Sequence, residues 1–237
     1  MTFQEQGMRK AVLHLKESDP AMRSIIERIG ACKMQFGEPT FHSLAEAIVY
    51  QQLNGKAALT IFKRFAALAG EPLTPAGILK LTPEQLRSVG LSKQKSSYLF
   101  DMSERADRGD LDFSRLSEMS DDEVIEHLTQ VKGVGVWTAH MFLIFTLRRP
   151  NILPVGDFGV RMAMYKHYLE KKAAKNGHGS PHPLKTANSG TPVKKGPKRK
   201  IVLPKPEQME KIAKRWEPYR SIACWYLWQS LDVKTIG

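Results

Sequence analysis

Two short stretches contain residues whose types and spacing can do chemistry. The first is Leu128-Thr-Gln-Val-Lys-Gly133-Val-Gly135-Val-Trp137-Thr-Ala-His140. Its pattern predicts one helix ending near Val131 and another beginning near Gly135. Gly133 and Gly135 are expected to adopt backbone angles closed to other residues and to keep side chains out of the way. N–H groups at the start of the second helix then point outward, where the helix dipole adds positive charge. Such a terminus binds phosphate through backbone geometry, without reading sequence. Gly133, Val134, Gly135 and Thr138 are the candidate contacts, with Lys132 and Arg161 as candidate cations. Taken alone, Gly-Val-Gly also suits a plain helix–helix turn.

The second stretch is Pro154-Val-Gly156-Asp157-Phe-Gly-Val-Arg161. An Asp between a Pro/Gly turn and a helix commonly caps that helix. A fixed carboxylate can also stabilise developing positive charge, and orient or deprotonate a water. The two roles are compatible. A helix of about four turns separates Gly135 from the turn. Folded back on itself, that unit can bring the phosphate site and Asp157 to one groove.

The elements that must position these residues read as helices throughout. Phe41 to Leu53 places Phe41, Leu44, Ile48 and Val49 on one face. Asn54 suits the N-cap of a helix running to about Ala69. Thr82-Pro83-Glu84-Gln85 and Ser120-Asp121-Asp122-Glu123 carry capping-box patterns. A helix from Arg220 to about Leu231 is dense in aromatic residues, including Trp225, Tyr226 and Trp228. No alternating strand or internal repeat is evident, so the fold class is all-α.

The formal net charge is +12, which points to an anionic partner. Ten of the 36 basic residues lie between Lys171 and Pro206, where there is no Asp or Glu. The rest holds 26 Lys and Arg against 24 acids, a balance of +2, so an anion-binding face there must come from arrangement. Residues from about 175 to 206 have too few large apolar groups to offset their ordering entropy, and a mobile basic loop is expected. Lys194 to Lys200 can add phosphate contacts, serve as a nuclear import signal, or be a solvated insertion. Cys32 and Cys224, the only cysteines, exclude a four-thiolate metal site and are expected in the core. With no membrane-length apolar run and no apolar signal stretch at the N-terminus, a soluble intracellular protein is expected: cytoplasmic or nucleoid in a bacterium, nuclear in a eukaryote.

The hairpin, read as L-x-x-V-x-G-V-G-x-W-T-A, and the Gly/Pro-rich loop ending in Asp157 resemble the helix-hairpin-helix DNA glycosylase superfamily. Ile48-Val-Tyr-Gln51-Gln52-Leu-Asn resembles the I-x-x-Q-Q segment of its 3-methyladenine DNA glycosylase II (alkylpurine) branch. Trp216-x-Pro218-x-Arg220-Ser-x-Ala223-x-x-Tyr226-Leu-Trp228 resembles that branch's C-terminal signature. The match runs from about Phe41 to Trp228, leaving out the basic loop.

The resemblance implies a two-lobed helical glycosylase fold. One lobe would comprise residues 1–40 and 155–237, and a central lobe residues 41–154, with the DNA-binding hairpin at 128–140. It implies that Asp157 is catalytic and faces the oxocarbenium-like sugar of a flipped-out nucleotide. Gln52, with Gln51 beside it, would wedge into the gap left in the stack. Trp137, Trp228 and Met141 would line the base pocket, although core packing remains open for Trp228. The carbonyls of Thr129, Val131 and Val134 would hold a sodium or potassium ion, with no cofactor required. Bifunctional relatives carry a catalytic Lys two residues after the second hairpin glycine. Trp137 stands there, which implies a monofunctional enzyme acting with water on alkylated or otherwise damaged purines in duplex DNA. A monomer is expected. The chain departs from some relatives at Gly156, where they have a second acid, and at Met141, where they have an aromatic. The alternatives are a non-catalytic damage-binding protein with the same hairpin and a bifunctional glycosylase/lyase.

Overall fold

The computed structural model describes residues 3–53, 55–170 and 201–232. The expected N-cap Asn54 and the basic stretch from 171 to 200 lie outside the described residues. The helices are α1 (Phe3–Ser18), α2 (Pro20–Ile29), α3 (Phe41–Tyr50), α4 (Gly55–Ala69), α5 (Pro75–Leu79), α6 (Pro83–Ser88) and α7 (Lys93–Asp107). They continue with α8 (Asp121–Thr129), α9 (Val136–Phe145), α10 (Phe158–Met164), α11 (Pro206–Ala213) and α12 (Arg220–Asp232). A π-turn, Tyr165–Leu169, extends α10, and a 3₁₀ turn, Lys214–Trp216, follows α11. The described residues contain no strand, so the fold is all-α as the periodicity predicts. None of their helices is long and apolar enough to cross a membrane.

The chain divides into two compact units: Met1–Cys32 with Leu153–Gly237, and Lys33–Ile152. In the second unit the capping signals work as the sequence predicts. Thr82 and Gln85 form a capping box on α6, and Ser120 and Glu123 form one on α8. Each satisfies otherwise orphaned N–H groups at the helix start. Leu44, Ile48, Phe65, Leu99, Leu128 and Leu143 are fully buried. The helix α9 is apolar on nearly every side; it buries Ala139, Phe142, Leu143 and Ile144 and leaves Val136 and Trp137 at its start exposed.

The expected α3 is too long. It ends at Tyr50, and Gln51 leaves helical geometry at ψ 131°. Gln52 then adopts φ 57°, a left-handed conformation that non-glycine residues seldom take. Gln51 and Gln52 therefore stand on a turn, not on the apolar helix.

In the first unit, α12 is buried along most of its length, with Ala223, Cys224, Tyr226 and Leu227 inaccessible. Tyr226 Oη donates to the Gly30 carbonyl at 3.0 Å, closing the end of α2. Cys224 sits in the core as expected, whereas Cys32 is only half-buried. Cys32 lies just past the end of α2 at Gly30, where the chain leaves the packed helix pair.

Asp19 is 1% exposed and organises this unit. Its Oδ1 accepts the Ala21 and Met22 N–H groups, capping α2. Its Oδ2 accepts Tyr168 Oη at 3.0 Å and Trp216 Nε1 at 2.8 Å. A buried carboxylate is tolerated only with such a full set of donors.

Candidate nucleic-acid interface and carboxylate site

The hairpin runs from the end of α8 to the start of α9. Gly133 makes the turn at φ 79°, and a Cβ there would overlap the ring of Tyr98. Glycine is therefore required twice over, by conformation and by close approach. Gly135 differs from expectation. Its φ of −96° and ψ of 175° are open to any residue, and a Cβ would meet nothing within 4 Å. What Gly135 contributes is a helix start with no side-chain cap. The first turn of α9 thus presents its backbone dipole without an internal anion, unlike α6 and α8.

The backbone N–H of Lys132 donates to Asp101 Oδ2 at 2.9 Å, and its ammonium lies 3.5 Å from Asp101 Oδ1 on the exposed surface. Thr138 is buried, and its hydroxyl receives a 3.4 Å bond from Gln51 Nε2. The same Nε2 donates to the Gly133 carbonyl at 3.0 Å. Gln51 thereby ties the α3–α4 turn to the hairpin.

A cavity of about 570 Å³ opens beside this tie, lined by Tyr50, Gln51, Gln52, Trp137, Thr138 and Met141. Trp137 is 48% exposed, with much of its indole on the open surface. Gln52 is exposed on the left-handed turn, and Leu53 beside it is also exposed. The structure brings together Trp137, Met141, Gln51 and Gln52, all expected at the DNA interface. At the hairpin, the Val131 carbonyl accepts the Val134 N–H, and among the described residues the Thr129 and Val134 carbonyls accept no bond outside the helices.

Asp157 and Trp228 belong to the first unit. Asp157 is the N-cap of α10, with Oδ1 accepting the Val160 N–H at 2.7 Å. That same oxygen accepts Trp228 Nε1 at 2.8 Å. Asp157 is 8% exposed and Trp228 is half-buried. Gly159 makes the pairing possible. A Cβ there would stand 2.8 Å from Trp228 Cδ1 and 3.2 Å from Asp157 Oδ1. Burial, then the charge of Asp157, push the Cys224 thiol well above its usual range, so it stays protonated in this core. Arg161, a candidate phosphate cation, donates from Nε to the Pro204 carbonyl at 3.2 Å.

Sequence reasoning missed several residues here. Phe158, next to Asp157, is 66% exposed, an unusual placement for a large apolar residue at a helix start. Its type and its adjacency to Asp157 were the available signal. Gly159 offered only its lack of a side chain. Lys95, Tyr98 and Asp101 lie far from the hairpin in sequence and carried no local signal.

A family model described as HhH-GPD superfamily base excision DNA repair protein matches residues 45–178. DNA-3-methyladenine glycosylase 1 of Schizosaccharomyces pombe is 31% identical, over 94% of this chain and 88% of its own length. Among solved structures, the 3-methyladenine DNA glycosylase of the same yeast in complex with abasic DNA superposes with a TM-score of 0.69 at 28% identity. That alignment covers 93% of this chain and 95% of the other. A DNA-3-methyladenine glycosidase from Bacillus halodurans aligns with a TM-score of 0.71 at 30% identity, over 94% of this chain and 89% of the other.

Proposed function

This chain belongs to the HhH-GPD superfamily of base excision DNA repair proteins, and from that membership we propose that it is a monofunctional glycosylase for damaged purines in duplex DNA. The observation that carries the reading is the carboxylate of Asp157, held by the Val160 N–H and the Trp228 indole. When the N-glycosidic bond breaks, its electron pair leaves on the base and positive charge builds on the deoxyribose. A preorganised anion stabilises that charge at no cost of reorganisation. Water then adds to the sugar and gives up a proton, leaving a free base and an abasic site. Alkylated purines leave readily because many already carry positive charge. The similarity to yeast and bacterial 3-methyladenine glycosylases supports this substrate class.

Trp137 has no amine to attack the sugar, which favours hydrolysis over lyase chemistry. The uncapped start of α9 and the Lys132 ammonium suit phosphate contacts. Gln52 on its exposed turn suits the wedge, Trp137 and Met141 beside it suit stacking on a displaced base, and Trp228 offers an indole held next to the Asp157 carboxylate. A sodium or potassium ion on the carbonyls of Thr129, Val131 and Val134 would add a positive charge for phosphate. The protein would act as a monomer.

The test is incubation with duplexes bearing hypoxanthine, ethenoadenine or a methylated purine, followed by alkali to reveal abasic sites. Base release by the wild type, lost in Asp157→Asn with DNA binding retained, is the expected result. Strand cleavage without alkali would mean a lyase, and binding without any base release a damage sensor.

A further inference from the structure

Lys95, Tyr98 and Asp101 recur at three-residue spacing and share one face of α7. Each engages backbone distant in sequence. Lys95 Nζ donates to the Val49 carbonyl at 2.6 Å and the Gln51 carbonyl at 2.8 Å. These carbonyls lie at the C-terminal end of α3, the negative end of its dipole, where intrahelical donors run out. Tyr98 packs its ring on Gly133. Asp101 accepts the Lys132 N–H, and Arg105 Nε holds the same carboxylate oxygen at 3.1 Å. Gln51 closes the circuit by donating to the Gly133 carbonyl.

We propose that α7 is a bracket fixing the Gln51–Gln52 turn against the glycine hairpin, and that Lys95 is the positioning residue for Gln52. The geometry at one peptide group makes the case. The Gln51 carbonyl belongs to the peptide plane that joins Gln51 to Gln52. Pinning that oxygen fixes the plane from which the Gln52 side chain departs. Gln52 holds φ 57°, a conformation that an unrestrained glutamine leaves. The second bond, to Val49, anchors the ammonium to the helix end, so the pinned plane cannot drift with the lysine. Partial burial beside these carbonyls lowers the Lys95 ammonium from its ordinary lysine value. The role assigned to Gln52 rests on the glycosylase reading, in which its side chain fills the gap left by a flipped nucleotide.

The experiment uses the full chain and two duplexes with the same damaged purine, one opposite a normal pyrimidine and one opposite an abasic site. The second already lacks the pair that a wedge must disrupt. In Lys95→Met, single-turnover excision from the paired duplex is expected to fall about tenfold, as befits loss of a charge-assisted hydrogen bond. Excision from the duplex with the opposing abasic site, and affinity for undamaged duplex, should stay within about twofold of wild type. Equal slowing on both duplexes, or a loss of affinity matching the loss of rate, would overturn the proposal, because a merely structural lysine affects both substrates alike. If Lys95→Met does not fold, Lys95→Gln keeps one donor and carries the same comparison at smaller amplitude. If the wild type releases no base, the glycosylase reading fails. The emission of 2-aminopurine at the target position of a bound duplex then decides the Lys95 question. Wild type should raise it and Lys95→Met should not, and equal emission would refute the bracket.

Discussion

Trp228 and Val160 both donate to one oxygen of Asp157, at 2.8 Å and 2.7 Å. A side chain on α12 and the first turn of α10 thus orient the same carboxylate. Trp228 has a polar edge committed to the anion, and that same edge passes close to Gly159. Orientation of the carboxylate and orientation of the indole are one structural fact.

Gly159→Ala breaks that fact while leaving both residues unsubstituted. The added methyl would force the indole to move, because it would meet Trp228 Cδ1 at 2.8 Å and Asp157 Oδ1 at 3.2 Å. Overpacking of this kind costs about 1–3 kcal/mol. Excision should fall about tenfold or more with DNA affinity nearly kept. The Trp228 indole N–H resonance should shift in the same variant. An unchanged resonance with full activity would show that the glycine is incidental.

Asp157 combines a helix cap with a proposed catalytic charge, and two substitutions separate them. Asn is as good an N-cap as Asp, so Asp157→Asn should change stability by under about 1 kcal/mol. It should nevertheless lose about a hundredfold or more in excision rate, since a neutral amide cannot offset sugar charge. Asp157→Ala also removes the acceptor for Val160 and Trp228 and should cost about 1–3 kcal/mol in urea unfolding.

Gly133→Ala addresses the hairpin. The substitution meets both the positive φ and the Tyr98 ring, and each obstacle costs about 1–3 kcal/mol. Pairing it with Tyr98→Ala should recover the overlap and leave the conformational cost. Denaturant melts of the single and double variants measure the two separately. Gly135→Ala, by contrast, should be tolerated in stability.

Tyr168 gives the fold a sensitivity to alkali. Burial, the Asp19 charge and the Asp19 hydrogen bond push its hydroxyl far above the ordinary phenol range. The folded state therefore prefers the protonated form. This contribution is intact below the unfolded value, about pH 10, and shrinks above it as the unfolded chain ionises. Phenolate absorbance for Tyr168 should appear only with unfolding, and Tyr168→Phe should flatten the loss of stability between about pH 10 and 12.

Local signals carried well from sequence to structure. The boxes at Thr82 and Ser120 need only residues three apart, and both form. The cap role of Asp157 is local too, and it is present. Its link to Trp228 spans 71 positions, and no periodicity encodes it. The end of α3 was misjudged for a physical reason. Glutamine does not announce a left-handed turn, and the ammonium that pins the turn comes from α7. Gly135 invited the opposite error, since glycine suggested special angles where the backbone is ordinary. The sequence also could not reveal that Phe158 faces outward, because burial depends on what packs above it.

The carboxylate of Asp19 has a consequence for how this protein can change. Tyr168 and Trp216, on either side of the basic stretch from 171 to 200, are bonded to the same buried oxygen. The folded unit thus fastens together the two flanks of that stretch by itself. Doubling the length of a loop costs only about 0.6 kcal/mol in closure entropy. A reporter domain inserted between residues 171 and 200 is therefore expected to leave Asp157 and Trp228 in their places.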